Sequence, residues 1–307
     1  MPNRPRLQWD VEALWQALDG VLPGISVEVL RSVDSTNTRL LERARIHSGR
    51  RNGPVTAPGQ LDAATIDDLP TPHGRRHDDT RPCLLVAEEQ SNGRGRQGRA
   101  WHADAGQSLM FSLSVPLNPP SWGGLSLAVG VALAEALDPL AVDAAPRIGL
   151  KWPNDLWVLD GPGRGRKMAG ILIETVAVGE RRMAVIGVGV NVLPQAQAQA
   201  QAQELSTGYG CLQELRPGID PPGTLRRVAL PLAQAVRRFE GEGLAPFVDA
   251  FRRRDLLRGR AITTTHPDVP QGLAEGIDDE GALRVRAAGS GTLYTLVSGE
   301  VSVRPSP

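Results

Sequence analysis

Apolar residues recur along this chain with two periods, and the changes between them mark out its elements. Val11, Leu14, Trp15 and Leu18 fall at i, i+3, i+4 and i+7, which predicts an amphipathic helix over residues 10–19. Ile25-Ser26-Val27-Glu28-Val29-Leu30 alternates for most of its length, as a strand does. Asp34-Ser35-Thr36-Asn37 places capping side chains just before Leu40, Leu41 and Ala44, the signature of a helix start. Cys83 to Glu89 and Leu109 to Leu117 predict strands, and residues 124–140 are apolar nearly all round, as in a buried helix. Arg147 to Trp152 predicts a strand that stops at the turn-forming Pro153-Asn154-Asp155. Met168 to Val178 and Met183 to Val192 are long apolar runs joined by Gly179-Glu180-Arg181-Arg182, a central hairpin.

Thr224 reads as the cap of a helix to about Glu240 that Pro231 kinks. Leu244 to Asp255 predicts another helix. From Arg258 to Val303 the pattern changes to short strands with glycine turns, among them Gly276-Ile277-Asp278-Asp279-Glu280-Gly281. That predicts a small β-barrel appended after a boundary near residue 257. Two segments lack a period. Residues 47–82 are rich in Gly, Pro, Asp and Arg and read as an exposed insertion. They hold His73 and His77 beside Asp78 and Asp79, an i, i+4 pair without the helical pattern a metal site needs. The Gln-Ala repeat from Gln195 to Gln203 reads as a spacer.

Composition narrows the class. A chain of 307 residues can bury a full core with a small second domain. Basic and acidic side chains balance at 34 each, which argues against a dedicated nucleic-acid binder. No stretch approaches the apolar length of a membrane span, and the first residues have no signal-peptide core, so a cytoplasmic location is expected. Cys83 and Cys211 have no metal or disulfide spacing. Lys151 and Lys167 are the only lysines among the 34 basic side chains, which suggests they stand where arginine does not serve.

The densest chemistry lies in Gln90-Ser91-Asn92-Gly93-Arg94-Gly95-Arg96-Gln97-Gly98-Arg99-Ala100-Trp101. Glycine lets backbone approach a ligand, and arginine presents a planar fork of donors to phosphate or carboxylate oxygens. Such a loop is built to wrap an anion, although by itself it also reads as a solvated basic turn. Gly93, Gly95 and Gly98 spell a dinucleotide fingerprint, but a turn and a strand follow where that fingerprint requires a helix. Four further segments accompany the loop. Ser35-Thr36-Asn37 offers hydroxyls and an amide, or simply a helix cap. Lys151-Trp152-Pro153-Asn154-Asp155 sets a cation, an amide and a carboxylate at a strand end, or is an ordinary turn. Arg166-Lys167-Met168-Ala169-Gly170-Ile171 puts Lys167 at the mouth of an apolar strand, where a solvated lysine is also common. Gly187-Val188-Gly189-Val190-Asn191 has glycines inside a strand, a mark of close approach by a ligand or another backbone, or of a bulge.

In this order the motifs resemble the biotin–protein ligases, also called biotin–[acetyl-CoA-carboxylase] ligases, over about residues 25–304. The resemblance implies an α+β fold: a mixed-sheet catalytic domain of the biotin/lipoate ligase type over 25–257, then a C-terminal SH3-like β-barrel over 258–307. Residues 1–24 would be a short helical extension, too short for the DNA-binding module of some family members, so no DNA binding is expected. The implied activity is formation of biotinyl-5′-AMP from biotin and ATP with Mg²⁺. Transfer of biotin to one lysine of a biotin carboxyl carrier domain would follow.

Ser35, Thr36, Asn37, Gln90, Arg94, Gly95, Arg96 and Lys167 are the implied biotin contacts. Arg94, Arg96, Arg99, Trp101, Lys151, Asn154 and Asn191 are the implied nucleotide contacts. Arg96, Lys167 and Asp155 are the catalytic candidates, with Asp155 as the base for the incoming lysine. The chain would be a monomer or weak homodimer and would not bind membranes. Lipoate–protein ligation and a non-catalytic biotin sensor are the rival readings. The segment Asp160 to Arg166 lengthens the link between Asp155 and Lys167 and raises the question of how Lys167 is presented.

Overall fold

The computed structural model describes residues 7–49, 80–101, 103–142, 144–161, 164–195, 208–298 and 302–305. The seven strands of its larger sheet are β1 (Ser26–Leu30), β2 (Cys83–Ala87), β3 (Ser108–Leu117), β4 (Ile148–Lys151), β5 (Asp155–Gly161), β6 (Arg164–Val178) and β7 (Arg181–Asn191). They lie in the order β1-β2-β3-β7-β6-β5-β4. The β1–β2 pair is parallel and the others are antiparallel, so the sheet is mixed as expected.

Alternation along the strands sorts their side chains onto two faces. Leu109, Phe111, Leu113 and Val115 of β3 join Ile186, Val188 and Val190 of β7 in the main core. Helices α1 (Val11–Asp19), α3 (Leu125–Leu137) and α4 (Pro221–Glu242) contribute apolar side chains to that core. On the opposite face α2 (Thr36–Gly49) packs Leu40, Leu41 and Ala44 against Cys83, Leu85, Met183 and Val185. That second cluster covers only part of its face, and the remainder forms the floor of the candidate site.

Five short strands make an antiparallel second sheet: β8 (Ala261–Thr264), β9 (Gln271–Ile277), β10 (Leu283–Ala287), β11 (Leu293–Leu296) and β12 (Val303–Pro305). Ile262, Ala274, Leu283 and Val285 belong to the same core cluster as the large sheet. Fully buried Trp152 donates from Nε1 to Gly281 O at 3.0 Å, tying the turn after β4 to this second sheet. Arg254, at the end of α5 (Val248–Arg254), donates to Asp138 Oδ2 at 2.8 Å and to Ile148 O at 3.0 Å. None of the described helices is long and apolar enough to cross a membrane.

Three expectations need correction. The cap of α4 is Asp220, whose side chain accepts from Gly223 N; Thr224 lies inside the helix and donates back to Asp220 O. Pro221 and Pro222 occupy the first turn, where a missing N–H costs nothing. The run Leu156-Trp157-Val158-Leu159, read as part of a link, belongs to strand β5, and Gly161 pairs with Arg164 of β6 beyond it. Gln195 is an anchor and not a spacer: it is buried, donates to Ser108 Oγ and accepts from Asp104 N. The rest of the Gln-Ala repeat, and the His73/His77 pair, lie outside the described residues.

Candidate functional site

The floor of the site is a part of the sheet stripped of side chains. Gly187 sits between Ser112 of β3 and Leu172 of β6, and Gly189 sits between Met110 and Gly170. A Cβ on Gly187 would lie 2.2 Å from Asn37 Oδ1, and one on Gly189 would lie 2.6 Å from the Trp101 indole. A Cβ on Gly170 would press on both Trp101 and Lys167. The strand glycines therefore admit two side chains from elsewhere in the chain. Asn37 comes from the start of α2, and Trp101 comes from the end of the arginine loop.

One wall is polar. Asn37 donates from Nδ2 to Leu172 O at 3.2 Å and to Glu174 Oε2 at 3.0 Å, which turns its Oδ1 toward Ser112. Ser112 Oγ stands 2.6 Å from that oxygen and 2.7 Å from Thr36 Oγ1. Gln90 Oε1 accepts from Thr36 N at 2.7 Å and faces the Thr36 hydroxyl at 3.1 Å. A hydroxyl carries one proton. Ser112 gives its own to Asn37, so the Thr36 proton serves either Ser112 or Gln90, and Gln90 Oε1 keeps the Thr36 N–H in either case. The wall keeps spare lone pairs, and it suits a neutral ligand that brings its own N–H groups. Ser112 escaped the sequence reading because a serine inside an apolar strand carries no local signal.

The arginine loop is a tight hairpin. Gly95 N donates to Arg99 O at 2.7 Å and Trp101 N to Gly93 O at 2.8 Å, around a single 3₁₀ turn at Arg96–Gly98. Gln97 and Gly98 both take positive φ, at 56° and 71°. A Cβ on Gly93 would strike Trp101 O at 2.4 Å, so close packing of the two hairpin arms requires glycine there. Each arginine already has a protein acceptor. Arg94 forks onto Glu174, Arg96 donates to Asn154 Oδ1 at 3.2 Å and to Ser298 O, and Arg99 donates to Ser302 Oγ at 3.1 Å. Ser302 in turn donates to Gln97 Oε1 at 2.9 Å. The loop is thus clasped by residues of the second sheet and its flanks, partners some 200 positions away that no local pattern announces. Burial lowers the Arg96 pKa, against the opposing pull of Asp155.

The far wall is cationic. The turn between β4 and β5 sets Lys151 directly opposite Asp155. Lys167 Nζ lies 2.8 Å from Asp155 Oδ1 and 5.6 Å from the centre of the Trp101 ring. Lys151 is 6% exposed, and desolvation brings its ammonium down to about 8 despite Asp155 beside it. Asn154 donates to Ile171 O at 2.8 Å, and buried Asn191 donates to Gly210 O at 3.3 Å. The lengthened hairpin leaves Lys167 in register opposite Trp157, and Arg166 beside it is fixed by Asp160 and Glu214.

These groups surround a cavity that is open to solvent on one side. Ser35, Thr36, Asn37 and Gln90 line one side of it, Arg94, Gly95 and Trp101 cover it, and Asn154 and Lys167 close its far end. Arg96 lines an adjoining groove that also reaches Asn154, Arg182 and Ser298. Lys151 and Asp155 border a smaller hollow beneath Asn154. Asn154 is common to all three spaces. Arg99 and Asn191 stand back from the cavity, bonded to Ser302 and Gly210.

Comparison with known proteins gives the family and the fold. A model of the biotin/lipoate A/B protein ligase family matches residues 75–191, and one of the biotin protein ligase C-terminal domain matches residues 260–304. The bifunctional ligase/repressor BirA of Salmonella typhimurium is 33% identical over 282 residues, covering 87% of this chain and 79% of that one. The biotin–[acetyl-CoA-carboxylase] ligase of Mycobacterium tuberculosis is 34% identical over 214 residues, covering 67% of this chain and 74% of that one. The solved biotin protein ligase from Aquifex aeolicus in complex with biotin and ATP shares the fold, with a TM-score of 0.63 at 24% identity over 91% of this chain and 99% of that one. The chain belongs to the biotin/lipoate A/B protein ligase family, among its biotin protein ligases.

Proposed function

We propose that this chain joins biotin to ATP and then passes biotin to a lysine of a biotin carboxyl carrier domain. The observation that carries the reading is the polar wall of Thr36 and Gln90, backed by buried Ser112, at one end of a cavity whose other end is Lys167. A ureido ring brings two N–H groups and a carbonyl to such a wall, and its chain ends in a carboxylate that Lys167 can face. The dithiolane of lipoate brings no N–H, so it would offer the spare lone pairs of Thr36 and Gln90 nothing, and the site would favour the ureido ring over it.

In the first step a biotin carboxylate oxygen attacks the α-phosphorus of ATP, and the bond to the pyrophosphate oxygen breaks. No nucleophilic side chain is required. The residues hold two anions together and stabilise charge on the phosphoryl oxygens. Lys167 and Arg96 would do that work, with Lys151 behind them; Arg94, Trp101 and Asn154 would lie toward the nucleotide, with Arg99 and Asn191 set back behind them. No three His, Cys, Asp or Glu side chains gather among the described residues. A magnesium ion would come with the nucleotide as the counter-ion of its polyphosphate, whose charge it would neutralise.

In the second step the carrier lysine attacks the acyl carbon, and the bond to AMP breaks. The groove beside Asn154 offers that lysine a way in, and Asp155 is the group to take its proton. Asp155 can do so only once Lys167 has turned from it toward the adenylate. Two free cysteines and the need for ATP suit a cytoplasmic setting.

Lys151 gives the first step a pH dependence. Below about pH 8 its ammonium is charged, and above it the charge is lost. The KM for ATP is therefore expected to rise several-fold, roughly, between pH 7 and pH 9, and Lys151→Arg is expected to flatten that rise because arginine does not titrate there. Initial rates across that range check the point, and a flat wild-type profile would remove Lys151 from the nucleotide side.

The function itself is tested by exchange of pyrophosphate into ATP with biotin, lipoate or neither. Exchange that requires biotin is expected. Exchange with lipoate alone would overturn the reading.

A further inference from the structure

Glu174 lies outside the cavity, yet it bonds to both a wall residue, Asn37, and a covering residue, Arg94. Its Oε2 accepts from Asn37 Nδ2 at 3.0 Å and from Arg94 Nη1 at 3.3 Å, and its Oε1 accepts from Arg94 Nη2 at 3.1 Å. On β6 it is the next outward position after Leu172 on the floor face, and it pairs in register with Val185 under α2. We propose that Glu174 is a positioning residue: it orients the Asn37 amide at the foot of the polar wall and seats Arg94, so that the arginine loop closes over the bound acid. This rests on the biotin-ligase reading of the site.

Two arguments support it. The Arg94 and Glu174 side chains are 43% and 25% exposed, and a pair so open to water adds little stability. Its value is then geometric. Secondly, the site needs an acceptor with two oxygens and no hydrogen. Glutamate meets the planar guanidinium fork with one edge and still accepts from an amide. Glutamine could keep Asn37 only by turning its own N–H₂ toward Arg94. No other described side chain bonds to both Asn37 and Arg94. Opening the loop means breaking this fork, so escape of the adenylate is tied to it.

The test uses the whole chain with Glu174→Gln. Its dissociation constant for biotin is expected to rise about tenfold, the effect of losing one hydrogen bond to a charged group. Escaped adenylate, scored as biotin on lysines of a bystander protein, is expected to rise by a similar factor. Biotin-saturated pyrophosphate exchange is expected to stay within about twofold of wild type, because no reacting atom has lost a contact. Arg94→Gln breaks the same fork from the loop side without touching Asn37, and should leak as much. The double variant should leak no more than either single one.

Unchanged biotin affinity and leak in Glu174→Gln, or additive leak in the double variant, would overturn the proposal. Should Glu174→Gln fail to fold, the leak of Arg94→Gln decides in the same way. A wild-type chain without biotin-dependent exchange would remove the underlying function, which is a different failure and visible before any variant is made.

Discussion

Replacing Lys167 by glutamine is expected to lower biotin-dependent pyrophosphate exchange by about 10²- to 10³-fold, the range for removing a donor aimed at developing charge. The lysine lines the far end of the cavity, 2.8 Å from Asp155 and beside the Trp101 ring. It is the one ammonium placed to face a ligand carboxylate there and, after adenylation, the acyl phosphate. The polar wall of Thr36, Ser112 and Gln90 remains untouched at the opposite end. Biotin binding by calorimetry should therefore weaken by less than about tenfold, since most of the contact made by the ring survives. A loss that falls wholly on affinity, with normal exchange at saturation, would make Lys167 a binding residue only.

The second large effect separates the two half-reactions. Asp155→Asn is expected to slow transfer to a carrier domain by about 10²-fold, the usual worth of a positioned base, and to change pyrophosphate exchange by less than about threefold. Asp155 is partnered with Lys167 and faces Lys151 across a tight turn, so it is the carboxylate at the centre of the cationic wall. The acceptor amine has a pKa near 10.4, and at pH 7 it is almost wholly protonated. Without a base, only the neutral fraction reacts. The variant should then gain roughly tenfold in transfer rate for each pH unit between 7 and 9, as that fraction does. Wild type should rise more gently. Equal losses in both half-reactions would move Asp155 to the adenylation machinery.

Much of the frame was legible because its signals are local. The strand pattern of β3, the long apolar runs of β6 and β7 and the even apolar stretch of α3 each occupy contiguous residues. The same holds for the motifs around Arg94, Lys151, Lys167 and Asn191. What was misread had a competing local signal. Asp220 and Thr224 both cap well, and the pair of prolines after Asp220 was the clue that favoured it. Strand β5 hid because Pro-Asn-Asp before it marks a turn, and the short apolar run after it was read as part of a link. What was missed entirely acts at a distance. Glu174 meets Arg94 across 80 residues, and Ser302 meets Arg99 across 203. A lone glutamate at a strand position carries no sign of its partner. The strand glycines sit between these cases: their need for space was readable, and what fills the space was not.

Those glycines also bear on how the protein breathes. A central strand is ordinarily guarded by its own side chains, and its amides are among the slowest to exchange with solvent deuterium. At Gly170, Gly187 and Gly189 that guard is borrowed: an indole from the hairpin and an amide from a helix start stand where side chains would. Lifting the hairpin uncovers main chain in the middle of the sheet. Deuterium uptake at Gly170 and Gly189, which lie under the Trp101 indole, should therefore follow the loop and not the surrounding strands, fast when the pocket is empty and slow once the adenylate is held. The innermost part of the sheet becomes a gauge of whether the enzyme is carrying its intermediate.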